Sequence, residues 1–178
     1  MNVVYGIYGA TKMKNKTIQL LAVLFTLSVI CVFLSLLTGR IIFALLGLPG
    51  VFFISSVIHE MGHMIACVIN GNRLTKIRVY FLEYSESKIK LRDQFGFDSS
   101  CSFIRSRNDA VVYIGGPTAS LLLTLILLIM WILTRKQTWA IFFAVFLLRL
   151  FRNIVSQENN DIQNAIREIQ REKKTNEI

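Results

Sequence analysis

The sequence contains few cysteines, histidines and prolines. Among its 178 residues there are three cysteines, two histidines and two prolines. Cys31, Cys67 and Cys101 are widely spaced and form no CxxC pattern, so they indicate neither a disulfide framework nor a thiolate zinc site. No internal repeat or low-complexity segment is visible, and any metal site must therefore be built from other side chains.

Charged residues are missing from several long stretches. Hydrophobic residues make up 53% of the chain, and the mean hydropathy is +0.52. Uncharged runs close to the roughly 20 residues that a spanning helix needs indicate an α-helical integral membrane protein. We predict four transmembrane helices, with a kink or break near Pro49 in the second. They cover residues 17–37, 41–69, 110–133 and 138–151.

The segment between the second and third predicted helices is polar. Alternating residues in "KIRVYFLEYSESKIKLR" predict strands, arranged as a short hairpin over the membrane surface. The chain beyond residue 157 is also polar, and "DIQNAIREIQREKK" is typical of a surface helix. We therefore expect a membrane domain over 1–156 and a cytoplasmic tail over 157–178.

The net charge of +9 is explained by membrane topology. Four spans with both termini in the cytoplasm place 17 of the 20 Lys and Arg residues inside, which is a clear positive-inside bias. A nucleic-acid-binding protein would instead present a basic face on a soluble fold. We expect an integral protein of a bacterial-type cell membrane whose environment is the lipid bilayer, with no nucleic acid partner.

The second predicted helix carries both histidines of the chain, in the motif "HEMGH". On a helix, His59 and His63 lie one turn apart, so both imidazoles can bind one Zn²⁺. Glu60 is offset from them and can act as the general base on a water activated by the metal. The alternative is that these polar residues only hold helices together, but ionisable groups inside a membrane usually serve function.

A catalytic zinc site usually needs a third protein ligand. Because no histidine remains, a carboxylate is expected. The candidates are Asp161, Glu158, Asp109 and Asp98.

An HExxH motif in a membrane helix, a later "GGP" and a distal Asn…Asp pair together resemble the site-2 protease family of intramembrane zinc metalloproteases. In that family an NxxPxxxxDG-type motif supplies an aspartate ligand. "NIVSQENND" keeps the eight-residue offset from Asn153 to Asp161. The resemblance implies Asp161 as the third ligand, Glu158 as the second choice, and Asn153 as a substrate-binding residue. Ser156 and Ile162 depart from the motif, and Asp161 as a helix N-cap in a solvated tail is the alternative.

The resemblance also covers "GGPTAS", residues 115–120, where the family has (A/G)GPxxN. Gly115, Gly116 and Pro117 fit, and Ser120 replaces the asparagine. In the family this element packs against the zinc helix and shapes the substrate cleft. A small-residue helix-packing site would use the same residues.

"NGNRLTKIRVYF" resembles the strand region that follows the zinc helix in this family. An edge strand there would hold an extended substrate by backbone pairing. A structural hairpin that merely covers the membrane face is the alternative.

The function implied is that of an intramembrane zinc endopeptidase acting on membrane-embedded or membrane-proximal peptides. The alternative is a non-catalytic membrane scaffold, immunity or export-partner protein that retains a degenerate protease fold. A transporter has little support, because the predicted helices show no inverted repeat.

Overall fold

The computed structural model describes residues 11–12, 15–85, 88–91, 94–95, 99–104, 110–155 and 161–176. Most of them are helical. The helices are α1 (Asn15–Thr38), α2 (Ile41–Leu46), α3 (Leu48–Ile69), α4 (Ala110–Thr134), α5 (Gln137–Val155) and α6 (Asp161–Asn176). The strands are β1 (Thr11–Lys12), β2 (Arg73–Val79), β3 (Leu82–Ser85), β4 (Lys88–Leu91), β5 (Gln94–Phe95) and β6 (Ser99–Ile104).

Three helices of the described chain are long and apolar enough to cross a membrane: Thr17–Thr38, Leu48–Ile69 and Ala110–Thr134. They support an integral membrane protein and agree with three of the four predicted spans, the second of them over Leu48–Ile69. The fourth segment, 138–151, is helical and lies within α5. It is not among the three candidate spans, so a fourth span and the cytoplasmic placement of both termini stay predictions.

The second predicted helix is broken into α2 and α3, as expected. Pro49 lies in the first turn of α3, where its missing N–H costs no helical hydrogen bond. Ser28 of α1 binds both sides of the break. Its hydroxyl donates to the Leu46 carbonyl at 2.9 Å and accepts from the Gly50 N–H at 2.8 Å. This hydroxyl satisfies backbone groups that the break leaves unpaired and holds α1 against α3.

The polar segment after α3 forms an antiparallel sheet in the order β4-β3-β2-β6. The β2–β3 hairpin confirms the predicted hairpin, and two further strands extend it. Because β2 pairs with β3 on one side and β6 on the other, the prediction of an edge strand at β2 is wrong. Aromatic rings join this sheet to the helices, since Phe81 stacks on Phe53 of α3 with centroids 5.6 Å apart.

The apolar core lies between the helices. A two-residue connection separates α4 from α5, which makes them antiparallel neighbours. Their contact with α1, α2 and α3 buries Val32, Ala44, Val51, Leu127, Phe142, Val145 and Phe146.

The polar tail folds back onto the helical core. Ala165 of α6 is 2% exposed and packs with Ala110 and Tyr113 of α4. This contact brings the first residue of α6, Asp161, to the side of α3. The predicted domain boundary at 156/157 lies outside the described residues.

Candidate metal centre

The HExxH motif lies in the middle of α3 and is buried. His59, Glu60 and His63 are 5%, 3% and 5% exposed. One ligand atom of each lies within 4.8 Å of those of the other two. A four-residue spacing places the two imidazoles on one face of the helix, and their Nε2 atoms are 3.2 Å apart.

Asp161 meets this pair from α6. Its Oδ2 lies 2.9 Å from His59 Nε2 and 3.3 Å from His63 Nε2. Two imidazole nitrogens and one carboxylate oxygen thus lie close together, although Asp161 is 102 residues from His59 in sequence. The structure therefore brings together the two histidines and the carboxylate that the sequence favoured.

The spacing of the three atoms fits a divalent metal. Zinc with bonds of about 2.0–2.1 Å in tetrahedral geometry holds its ligand atoms about 3.4 Å apart. The observed separations of 2.9, 3.2 and 3.3 Å are close to this value. Lone pairs at such distances repel unless a cation or protons lie among them. Two imidazoles and one carboxylate also match a common catalytic zinc ligand set.

Hydrogen bonds on the far side of each ring orient the imidazoles. His63 Nδ1 donates to the Val112 carbonyl oxygen at 2.7 Å. Because a carbonyl can only accept, Nδ1 carries the hydrogen and the Nε2 lone pair can face a metal. His59 Nδ1 lies 3.0 Å from Ser120 Oγ, which can accept in the same way. Partners of this kind fix the tautomer and raise the basicity of metal-binding histidines.

The Gly-Gly-Pro element of α4 packs directly on the motif. A Cβ on Gly116 would collide with the His63 ring, and a Cβ on Gly115 would lie 2.6 Å from the Cβ of Ala66. Glycine at these positions lets α4 approach α3 closely. Pro117 is buried in the same helix. The substrate-binding role assigned to these three residues stays a prediction.

Glu60 points to the side of the motif that faces the sheet. Ser99 of β6 hydrogen-bonds its carboxyl group. Glu60 Oε2 is buried and has no hydrogen-bond partner among the described residues. A buried, unsatisfied carboxylate oxygen is costly and calls for a functional explanation.

The electrostatic surroundings of Asp161 favour its ionised form. Burial opposes ionisation, but in the metal-free site, where the Nε2 atoms of His59 and His63 can carry a proton, their hydrogen bonds to Oδ2 outweigh it and hold the pKa of the Asp161 carboxyl below its usual value. The N-terminus of α6 adds a favourable partial positive charge. Metal binding requires a deprotonated carboxylate, so the site keeps Asp161 in the form that a metal needs.

The remaining predicted site residues lie wholly or partly outside the described part of the chain. Glu158, Asp109, Asp98 and Ser156 lie outside the described residues. Asn153 is in α5, and its side chain is likewise outside the described part. Sequence reasoning missed the Val112 carbonyl, which as a backbone atom gives no sequence signal. It also missed Arg149, although a charged residue within an apolar run is a signal that the sequence does show.

A membrane protein with a buried histidine–carboxylate centre is the class that this fold and site define. A comparison with protein-family models matches the chain over residues 48–157 to the family described as Peptidase M50B-like. The chain therefore belongs to this family, which supports the resemblance to site-2 proteases. The match ends four residues before Asp161. Neither the comparison with curated proteins nor that with solved structures found a match.

Proposed function

We propose that the protein is an intramembrane zinc endopeptidase whose substrates are membrane-embedded or membrane-proximal peptides. The convergence of His59 Nε2, His63 Nε2 and Asp161 Oδ2 within 3.3 Å carries this proposal. These three residues would hold Zn²⁺. When bound, the metal supplies a Lewis acid that activates water and polarises the scissile carbonyl.

Glu60 handles the proton in this scheme. Its buried Oε2, which lacks a hydrogen-bond partner in the described chain, takes a proton from the water that attacks the scissile carbonyl carbon. The C–N bond then breaks, and Glu60 passes the proton to the leaving amine nitrogen. The products are one new carboxyl terminus and one new amino terminus.

The surrounding residues keep the ligands in place during this cycle. Val112 and Ser120 bind the outer nitrogens of the two imidazoles. Gly116 packs against the His63 ring and limits its movement. Such support matters because a displacement of about 1 Å in a catalytic group can cost about 100-fold in rate.

Two variants separate metal binding from proton transfer. We expect Glu60→Gln to retain zinc at the wild-type stoichiometry and to lose cleavage by a factor of about 100 or more, since general-base catalysis contributes that much. His63→Ala should lose both zinc and cleavage. Zinc content by mass spectrometry of the purified protein and cleavage of synthetic membrane peptides in vesicles provide the two readouts.

Undiminished cleavage by Glu60→Gln would contradict the proposal. Zinc-loaded wild-type protein that cleaves no peptide would favour the alternative, a non-catalytic membrane scaffold that retains the metal centre. A wild-type protein that is stably folded without metal would contradict the proposed metal site as well.

A further inference from the structure

Arg149 of α5 reaches across to α3. Its Nη1 donates to the Phe52 carbonyl oxygen at 3.1 Å and to the hydroxyl oxygens of Ser55 and Ser56. Both serines are buried, with 1% and 2% exposure. These acceptors fix one end of the guanidinium group, and none of them carries a charge.

The two serines place Arg149 beside the metal centre. Ser55 precedes His59 by four residues, and Ser56 precedes Glu60 by the same number. Residues four apart share a helix face and are separated by about 6 Å along the axis. The guanidinium therefore lies about one helical turn from the ligands and from the general base.

One edge of the guanidinium is free. Within the described part of the chain, Nε and Nη2 of Arg149 make no hydrogen bond, and no carboxylate oxygen lies within 4.0 Å of the guanidinium, although the Glu60 carboxylate interacts with its charge at longer range. The Nε–Nη2 edge is a rigid pair of donors that matches the two oxygens of a carboxylate. The side chain is largely but not completely buried, so part of it remains exposed at the edge of the helical core.

We propose that Arg149 binds a carboxylate of the peptide substrate and so positions the scissile bond at the metal centre. The carboxylate is either an Asp or Glu side chain or the free C-terminus, since both present the same pair of oxygens. This inference rests on the proposed function because it takes a membrane peptide as the ligand. It adds a specificity-determining residue that lies outside the HExxH, Gly-Gly-Pro and Asn…Asp elements.

The charge of Arg149 is not needed to join α5 to α3. Three neutral acceptors would be satisfied equally well by an uncharged donor, and a charged group in an apolar helix is costly. A lipid headgroup is also a poor partner at this depth. Ser55 is seven residues into α3, which is about 10 Å from one end of a helix with a rise of 1.5 Å per residue, and further from the other.

Binding of matched peptides to the inactive Glu60→Gln protein tests the proposal without requiring turnover. The probes are Lys-flanked Leu/Ala membrane peptides in phosphatidylcholine vesicles. One series carries a single Asp at successive central positions, paired with the Asn isostere. A second pair differs only in a C-terminal carboxylate or amide, so the two arms distinguish the two carboxylate sources. Zinc content and size-exclusion profiles of every variant check the fold.

We expect one acidic peptide to bind at least about tenfold more tightly than its neutral partner, because hydrogen bonds to charged groups contribute this much. Arg149→Gln in the same background should abolish the preference while binding of the neutral peptide stays unchanged. Arg149→Lys should restore the preference only in part, because lysine lacks the planar pair of N–H donors that binds both carboxylate oxygens. A purely structural role would alter binding of both peptides equally.

Equal binding of acidic and neutral peptides in every pair would overturn the proposal, as would a preference that survives Arg149→Gln. A preference that emerges only after Glu158→Gln would also overturn it, because an internal carboxylate would then occupy Arg149 in the native protein. Loss of the preference when phosphatidylglycerol is added would assign the site to lipid phosphate instead. Failure of the zinc-loaded wild type to cleave any peptide would count against the proposed function alone, since binding is measured separately.

Discussion

The two halves of the metal centre are built in different ways. His59 and His63 come from one helix turn inside the membrane, where glycines of α4 press against them. Asp161 comes from the first turn of a polar helix, α6, that docks on α4. The first half is determined by local helix geometry, whereas the second depends on tertiary docking. Disturbing each half separately should therefore give different results.

The largest effect is expected from Gly116→Ala in the histidine half. The new Cβ would collide with the His63 ring, whose Nδ1 is fixed by the Val112 carbonyl. The ring must leave its position, so we expect zinc affinity to fall by more than about 100-fold, beyond the 10–100-fold typical of outer-shell changes. Zinc titration of the purified protein measures this.

Two neighbouring substitutions serve as controls. Gly115→Ala should lower the thermal stability, because its Cβ meets the backbone of Gly62 and the Cβ of Ala66 rather than the imidazole and overpacking costs about 1–3 kcal/mol. Thr118→Ala, at an exposed position of the same helix, should change neither quantity. Equal zinc affinity in Gly116→Ala and Thr118→Ala would contradict the packing argument.

A smaller effect is expected when the aspartate half is disturbed from a distance. Ala165 is 2% exposed in the contact between α6 and α4, and Ala165→Leu leaves no room for close docking. We expect the three spanning helices to remain folded and zinc affinity to fall by about 10–100-fold, as for other supporting positions. Asp161→Asn, which removes the ligand charge directly, should lower the affinity by at least as much.

The matched control places the same side chain on the opposite face of α6. Gln170 is exposed, so Gln170→Leu should keep wild-type zinc affinity. In the double variant, Ala165→Leu should add little to Asp161→Asn, because both act on the same ligand. Fully additive losses would mean that Ala165 affects zinc by a route other than Asp161.

The same difference explains what the sequence could predict. The HExxH spacing places the two proposed ligands and the proposed base, because a helix fixes the relative positions of neighbouring residues and puts those four apart on one face. The position of Asp161 depends on how α6 packs, and only the family resemblance selected it among four carboxylates. The partners of the imidazoles come from a backbone carbonyl and from Ser120, which looked like a departure from the family pattern. Arg149 was counted only as one of the 17 Lys and Arg residues that the predicted topology places inside, although its charge lies at the end of an apolar run.

The order β4-β3-β2-β6 was also beyond the reach of the sequence. Alternating residues predicted strands, but alternation says nothing about which strands are neighbours. The pairing of β6 with β2 turns a presumed edge into an internal strand and brings Ser99 to Glu60. The breaks and spans of the helices were predictable because they depend on local composition and on Pro49.

The smallest effect is expected from Ser120→Ala, which removes a side-chain partner of His59 without disturbing either half of the site sterically. Ser120 Oγ lies 3.0 Å from His59 Nδ1, and loss of such an outer partner typically lowers metal affinity by about 10-fold. Ser35→Ala is the matched control, because Ser35 is fully buried in α1 and its hydroxyl donates only to the Val32 carbonyl. A loss of zinc affinity in Ser120→Ala no larger than in Ser35→Ala would show that His59 is oriented by its other contacts. His59 would then depend on packing, while His63 would still be oriented by the Val112 carbonyl.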